Sequence, residues 1–205
     1  DDFTFIRQAA DEVVISVAHT VADYDRAKEA FINGASHVTH LYNAMPPLHH
    51  RKPGVIPAAA EQPHVFAELI CDGIHIHPAM VRLAFTMFGC DRICMISDSM
   101  MATGMTDGDY ALGGQAVKVT GKLATLADGT IAGSASNLFD CFCVAVKEME
   151  IPLEQAITAC TLTPARSLGF DDECGSITVG KCADLLILDQ DLNLVQIIHH
   201  GLKTA

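Results

Sequence analysis

Short apolar runs alternate with amphipathic segments through the first hundred residues. The runs at residues 13–20, 37–43, 65–75 and 92–99 are rich in β-branched and other apolar residues, which predicts strands. Between them, capping residues and glycines bound the predicted helices at residues 3–11, 23–34, 56–61 and 78–89. Strands that are apolar throughout and alternate with helices indicate an α/β fold with a parallel sheet covered by helices.

The pattern changes after residue 103. Many glycines and short alternating runs at residues 103–133 predict an inserted hairpin region, followed by helices at 137–149 and 152–168. The remainder, residues 169–205, contains two or three strands without crossover helices, which favours a small antiparallel sheet. We therefore predict two units, residues 1–168 and residues 169–205.

Composition narrows the class of protein. The chain has 205 residues, of which 50% are hydrophobic, and this is enough for one large domain with a sizeable core. The net charge of −12 argues against a general binder of nucleic acid or of membrane surfaces. No apolar run approaches the ~20 residues of a membrane span, and the acidic start at Asp1 predicts no signal peptide. We expect a cytoplasmic location.

The eight cysteines do not have the spacing of a zinc or disulfide framework. No CxxC pair occurs, and most of the cysteines lie in apolar sequence such as the stretch around Cys141 and Cys143. Free thiols in a reducing compartment are therefore the expected state.

Candidate chemistry lies at the predicted ends of four successive strands. His19, His40, His75 and Asp98 are spaced 21, 35 and 23 residues apart, and the shorter intervals each suit one strand–helix–strand unit. In α/β barrels the active site lies at the carboxyl ends of the strands. Two imidazoles and a carboxylate are a common set of ligands for a catalytic divalent metal, which makes hydroxide available near neutral pH.

The segment from Val38 to Arg51 reads VTHLYNAMPPLHHR and supplies further polar groups to the same loop. Asn43 follows His40 closely, and Arg51 comes just after a Pro-Pro turn. A guanidinium beside a metal site suits an anionic substrate. Each of these residues alone has an ordinary structural role, and only their joint position favours a site.

These residues occur in motifs that resemble the N-acetylglucosamine-6-phosphate deacetylases of the amidohydrolase superfamily. The resemblance covers nearly the whole chain and implies a (β/α)8 TIM-type barrel with a small β-sandwich domain. The matching motifs are AHT at 18–20, THLYNAM at 39–45, DGIHIHP at 72–78, ISDS at 96–99, GTIAGS at 129–134 and the tail GSITVGKCADLLILD.

The resemblance implies a role for each matching residue. His19 and His40 would bind one divalent metal ion. Zn²⁺ is the favoured ion, and Fe²⁺, Mn²⁺ and Co²⁺ are alternatives. Asp98 would act as general base and then general acid, and His75 would polarise the acetamide carbonyl. The residues expected to hold the phosphorylated N-acetyl amino sugar are Asn43, Ala44, Arg51, Asp72, Gly73, Ile74, His75, Ile131, Ala132 and Gly133. The resemblance also implies a homodimer.

One departure from the family pattern is evident. The family barrel has eight strands, and a glutamate from an earlier strand completes its metal site. About four barrel strands are recognisable here, and Glu12 stands at the wrong end of its strand. The chain is therefore expected to be the second half of the barrel plus part of the β-sandwich. Alone, it should bind metal weakly and have little or no activity.

Three other interpretations remain open at this point. The chain could belong to another amidohydrolase, such as one that acts on a cyclic amide, although Asn43 and Arg51 favour a sugar phosphate. It could be a non-catalytic module that binds a sugar phosphate or assembles with other chains. It could also be a purely structural α/β domain.

Overall fold

A parallel four-stranded sheet forms the centre of the protein in the computed structural model, which describes residues 2–204. Its strands are β1 (Ser16–Val17), β2 (His37–Val38), β3 (Phe66–Ile70) and β4 (Ile93–Ile96). They follow one another in sequence order, and each pairs in parallel with the next. The predicted α/β architecture with a parallel sheet is therefore confirmed, and the carboxyl ends of all four strands meet at one edge.

One helix precedes β1 and three connect the strands, and two of these begin at predicted capping residues. Asp23 caps the helix after β1 by accepting a hydrogen bond from the Arg26 amide. His77 caps the helix after β3, which has Pro78 at its first position and ends at Gly89. The bounds are α1 Thr4–Ala9, α2 Tyr24–Ile32, α3 Val55–Ala60 and α4 Pro78–Phe88.

The strands are shorter than the sequence predicted. The predicted strand 13–20 contains only β1, and turns occupy residues 39–43, where the sequence predicted that the strand continues. His19, His40 and Asp98 therefore lie about two residues beyond their strands rather than on them. An apolar run predicts burial, but pairing stops where the chain turns out of the sheet, and the run itself does not mark that point.

The second half of the chain forms two further small sheets. Antiparallel strands β5 (Gly108–Leu112), β6 (Gln115–Thr120) and β7 (Leu123–Thr125) replace the expected hairpin with a three-stranded meander. Helices α5 (Leu138–Lys147), α6 (Leu153–Cys160) and α7 (Leu162–Ser167) follow. The tail forms an antiparallel sheet in the order β10-β9-β8, as predicted, from β8 Leu185–Leu188, β9 Leu194–His199 and β10 Leu202–Lys203.

The main core lies between the parallel sheet and its helices. Its largest fully buried side chains include Phe31, Leu41, Leu69 and Met149, and a second cluster lies under the β5–β7 meander. All eight cysteines are free, as expected, although Cys182 is exposed. Within residues 2–204, no helix combines the length and the apolar character that crossing a membrane requires. Asp1, the first residue of the first predicted unit, and Ala205, the last residue of the second, lie outside the described residues.

Candidate metal and substrate site

Two imidazoles face each other at the carboxyl edge of the parallel sheet. His19 follows β1, His40 follows β2, and their Nε2 atoms are 2.9 Å apart. The rings meet edge to face, with centroids 4.7 Å apart. Because β1 and β2 are adjacent and parallel, equivalent positions just beyond their ends lie side by side. The structure thus brings together the two residues that the sequence predicted as metal ligands.

Both histidines have a backbone conformation that residues other than glycine rarely adopt. The φ angle is 42° at His19 and 33° at His40, in the left-handed region. Asp98, with a φ of 51°, shares this feature, and so do Tyr42 and Ala44. Non-glycine residues in this region carry strain, and such residues concentrate at functional sites.

The spacing of the histidine pair suits a bound metal. Two nitrogens at roughly 2.0–2.1 Å from a tetrahedral Zn²⁺ ion lie roughly 3.3 Å from each other. The observed 2.9 Å between the two Nε2 atoms is within a few tenths of an ångström of that value. His40 is buried, His19 is exposed, and the two Nε2 atoms are within hydrogen-bond distance of each other. The pair therefore fits two positions of a metal site.

The rest of a metal site is not assembled within residues 2–204. No third His, Cys, Asp or Glu joins His19 and His40 with all ligand atoms within 4.8 Å of one another. One exposed group of three meets that distance on the tail sheet, formed by Asp184, His199 and His200. There Asp184 accepts hydrogen bonds from the His200 amide and the His199 ring, and these bonds lower the pKa of its carboxyl.

His75 is held by a buried carboxylate. Its Nδ1 lies 2.7 Å from Oδ2 of Asp72, and the other carboxylate oxygen accepts from the amides of Ile74 and His75, each at 2.9 Å. Burial opposes ionisation of Asp72, but the hydrogen bonds from His75 and from the amides outweigh it and lower the pKa of the carboxyl. Gly73, with a φ of 79°, permits this turn. Asp72 thus leaves the Nε2 atom of His75 as the ring nitrogen available to a substrate.

Asp98 lies beyond β4 with its side chain exposed and no hydrogen bond to its carboxylate among the described residues. Its carbonyl accepts from the Ser134 amide at 2.9 Å, within a parallel bridge between Ser99 and Ser134. This bridge ties the predicted substrate loop, Ile131, Ala132 and Gly133, to the segment that carries Asp98. A Cβ on Gly133 would lie 3.6 Å from the Asp98 carbonyl, so the two backbones approach closely.

The segment after His40 connects the loops that follow β1 and β2. The Ala44 carbonyl accepts from the Thr20 amide at 3.1 Å, and the Asn43 side chain bonds to the carbonyls of His40 and Leu41. The Arg51 guanidinium is exposed and has no hydrogen bond or ion pair within residues 2–204. Asn43 and Ala44 are therefore fixed beside the histidine pair, and Arg51 is available for an anion.

Sequence reasoning did not single out one residue of this network. Ser134 is fully buried, and its hydroxyl lies 3.3 Å from Oδ2 of Asp72. A serine beside a glycine ordinarily indicates a loop, so the only available signal was its place at the end of the motif GTIAGS.

Facing imidazoles at the carboxyl ends of parallel strands, beside a carboxylate-supported histidine, are typical of hydrolases built on an α/β barrel. The sequence model of the amidohydrolase family matches residues 5–203, and the chain belongs to that family. Members of the family are generally metal-dependent.

Individual relatives indicate which group of amidohydrolases the chain resembles. The chain is 43% identical to an N-acetylglucosamine-6-phosphate deacetylase from Bacillus subtilis (strain 168), over 97% of this chain and 50% of the relative. The chain therefore spans about half the length of the curated relatives it matches.

The chain is also similar in structure to solved N-acetylglucosamine-6-phosphate deacetylases. The crystal structure of N-acetylglucosamine-6-phosphate deacetylase from Pasteurella multocida superimposes with a TM-score of 0.94 at 31% identity, covering 99% of this chain and 54% of that one. A Mycobacterium smegmatis deacetylase mutant in complex with N-acetyl-D-glucosamine-6-phosphate gives 0.93 at 37% identity, covering 98% and 54%. The α/β fold therefore matches the corresponding part of the amidohydrolase barrel.

Proposed function

We propose that this chain contributes to the metal-dependent deacetylation of N-acetylglucosamine 6-phosphate, giving glucosamine 6-phosphate and acetate in amino-sugar catabolism. The observation that carries the proposal is the 2.9 Å approach of the His19 and His40 Nε2 atoms at the carboxyl edge of the sheet. The names of the similar relatives, and the amino-sugar phosphate bound in one similar structure, support the choice of substrate.

His19 and His40 would hold one divalent ion through their Nε2 atoms. Imidazole nitrogens suit Zn²⁺, the first choice here, with Fe²⁺, Mn²⁺ or Co²⁺ as alternatives. When bound, the ion supplies a hydroxide nucleophile near neutral pH and polarises the acetamide carbonyl.

Asp98 and His75 would move the protons. The exposed Asp98 carboxylate is unengaged within the described residues, so it is free to accept a proton from the attacking water and to return it to the departing amine. His75 bonds to Asp72 through Nδ1, so its Nε2 would carry a proton only in the doubly protonated imidazolium form. In that form the Nε2–H would donate a hydrogen bond to the acetamide oxygen as negative charge develops there.

Arg51 and Asn43 would recognise the sugar phosphate. A guanidinium forms short, charge-assisted hydrogen bonds to phosphate oxygens, and Arg51 has no competing partner among the described residues. Ala44, Gly73, Ile74, Ile131, Ala132 and Gly133 would line the sugar. Gly73 and Gly133, both with positive φ, let the backbone approach the ligand closely.

Replacing Arg51 by Met should weaken binding of the sugar phosphate by about 30-fold, because a charge-assisted hydrogen bond contributes roughly 1.5–3 kcal/mol. Binding of N-acetylglucosamine 6-phosphate to the chain can be followed by calorimetry, with N-acetylglucosamine as the comparison ligand. Lys52→Met is the matched control, since Lys52 is the exposed cation next in sequence. Equal losses in the two variants would contradict a specific role for Arg51.

The chain would supply the second half of the barrel, residues 1–168, and part of a small β-sandwich, residues 169–205. The tail sheet exposes apolar side chains, including Leu186, Val195, Ile197 and Leu202, which a second sheet would cover. β1 and β4 are the edges of the four-stranded sheet, and further barrel strands would pair with them. A homodimer of the complete assembly is part of this proposal.

Acetate release tests the proposed reaction. The chain is assayed on N-acetylglucosamine 6-phosphate alone and after mixing with the separately produced amino-terminal half of the Bacillus subtilis relative. We expect activity from the mixture and little from the chain, because a third metal ligand is not assembled among residues 2–204. Full activity of the chain alone would refute the half-barrel proposal. A folded, metal-loaded mixture that releases no acetate would refute the deacetylase proposal.

A further inference from the structure

Ser134 ends the predicted substrate loop and contacts both the segment of Asp98 and the Asp72–His75 pair. Its amide donates to the Asp98 carbonyl at 2.9 Å, and its carbonyl accepts from the Met100 amide at 2.8 Å. Its hydroxyl lies 3.3 Å from Oδ2 of Asp72, the atom that also bonds Nδ1 of His75. One fully buried residue therefore contacts both the segment of the proposed general base and the carboxylate that holds the proposed electrophilic histidine.

The hydroxyl has both of its roles filled. It accepts a hydrogen bond from the Ser136 amide at 3.0 Å and can donate its only proton to Asp72. Ser99 adds a further tie between the same segments, because its hydroxyl donates to the Ser136 carbonyl at 2.7 Å. The position and orientation of the Ser134 hydroxyl are thus fixed by the loop that it belongs to.

We propose that the Ser134 hydroxyl is a positioning group that couples the Asp98 segment to the Asp72–His75 pair. The backbone bonds of Ser134 fix the loop to Asp98, and the hydroxyl transmits that position to the Asp72 carboxylate. Asp72 in turn orients the His75 ring and keeps the proton of the neutral ring on Nδ1. The catalytic part of this inference rests on the proposed deacetylase function, whereas the coupling itself does not.

The chain contains a matched control for this hydroxyl. Ser136 lies two residues further along the same loop, is also buried, and has a hydroxyl oxygen without a hydrogen-bond partner among the described residues. Ser134→Ala and Ser136→Ala therefore each remove one buried hydroxyl group from the same loop. Only the first removes a contact with Asp72.

Nitrogen-15 NMR of the histidine rings and hydrogen exchange test the coupling in the 205-residue chain without any activity. We expect one His75 tautomer, protonated on Nδ1, in the wild type and in Ser136→Ala. In Ser134→Ala we expect a mixture of tautomers and about tenfold faster exchange of the Ile74 and His75 amides, which bond to Asp72. Asp72→Asn combined with Ser134→Ala should behave as Asp72→Asn alone.

The result that would overturn the proposal is a His75 spectrum and amide exchange in Ser134→Ala that match those of folded Ser136→Ala. Should Ser134→Ala fail to fold, Ser134→Cys keeps the shape but offers a much weaker donor. The proposal then predicts faster exchange of the Ile74 and His75 amides than in wild type, and exchange equal to wild type would overturn it.

In the assembly with the amino-terminal half, Ser134→Ala should lower kcat about tenfold with little change in KM. Equal kcat values for the two alanine variants, with an altered tautomer in Ser134→Ala, would reject the catalytic consequence and leave the coupling intact. An inactive assembly would count against the proposed function, and the NMR comparison would still decide the coupling.

Discussion

His40→Ala is expected to lower the affinity of the chain for Zn²⁺ by about 100-fold or more. His19 and His40 are the two donors that converge at the sheet edge, and loss of one leaves a single imidazole there. Perturbing only the groups that support metal ligands already costs roughly 10–100-fold in affinity, so removal of a ligand should cost at least as much. Calorimetric titration with Zn²⁺ measures the affinity directly, and the result does not depend on activity.

The surface group on the tail sheet must be removed for this comparison. Asp184, His199 and His200 are exposed and close enough to bind a metal ion weakly, so all proteins in the series carry His200→Ala. His50→Ala is the matched control, because His50 is an exposed histidine that follows the same Pro-Pro turn. Unchanged Zn²⁺ affinity in His40→Ala would mean that the ion does not lie between the two imidazoles.

Asp72→Asn is expected to lower the free energy of unfolding by about 3 kcal/mol. The carboxylate accepts from two amides, from Nδ1 of His75 and from the Ser134 hydroxyl, and its side chain is fully buried. An amide side chain replaces one acceptor oxygen by a donor, which leaves buried donors facing it without a partner. Urea unfolding at pH 7 measures the difference.

The same variant gives a pH test with a defined sign. The hydrogen bonds to Asp72 lower its pKa in the folded protein, whereas the unfolded carboxyl titrates at about 3.9. The stabilisation from ionised Asp72 is therefore complete above that value and is lost as the pH falls through the folded pKa. The difference between wild type and Asp72→Asn should stay constant from pH 7 down to about the unfolded value and narrow below it.

Asp109→Asn is the control for both measurements. Asp109 is an exposed carboxylate on β5, and its substitution should change the free energy of unfolding by less than about 0.5 kcal/mol. Equal effects of the two substitutions, or a difference independent of pH, would contradict the role given to the Asp72 carboxylate.

Much of this arrangement could be predicted from the sequence because its signals are local. Asp23, His77 and Gly89 mark helix ends through capping, which needs only neighbouring residues. The order of strands and helices predicted a parallel sheet, and such a sheet brings His19 and His40 to one edge. The strand ends were placed wrongly, because the same apolar residues continue into the buried turns after β2 and β3.

By itself, the sequence determined the α/β class and the histidine pair, through residue type and spacing. The candidate substrate residues followed from the resemblance of its motifs to a known family. Only the tertiary structure decided that Asp72 holds His75, that Ser134 joins Asp72 to the Asp98 segment, and that no third ligand joins His19 and His40 within residues 2–204. These contacts join residues up to 62 positions apart, and their geometry depends on how separate elements pack, which no local pattern records.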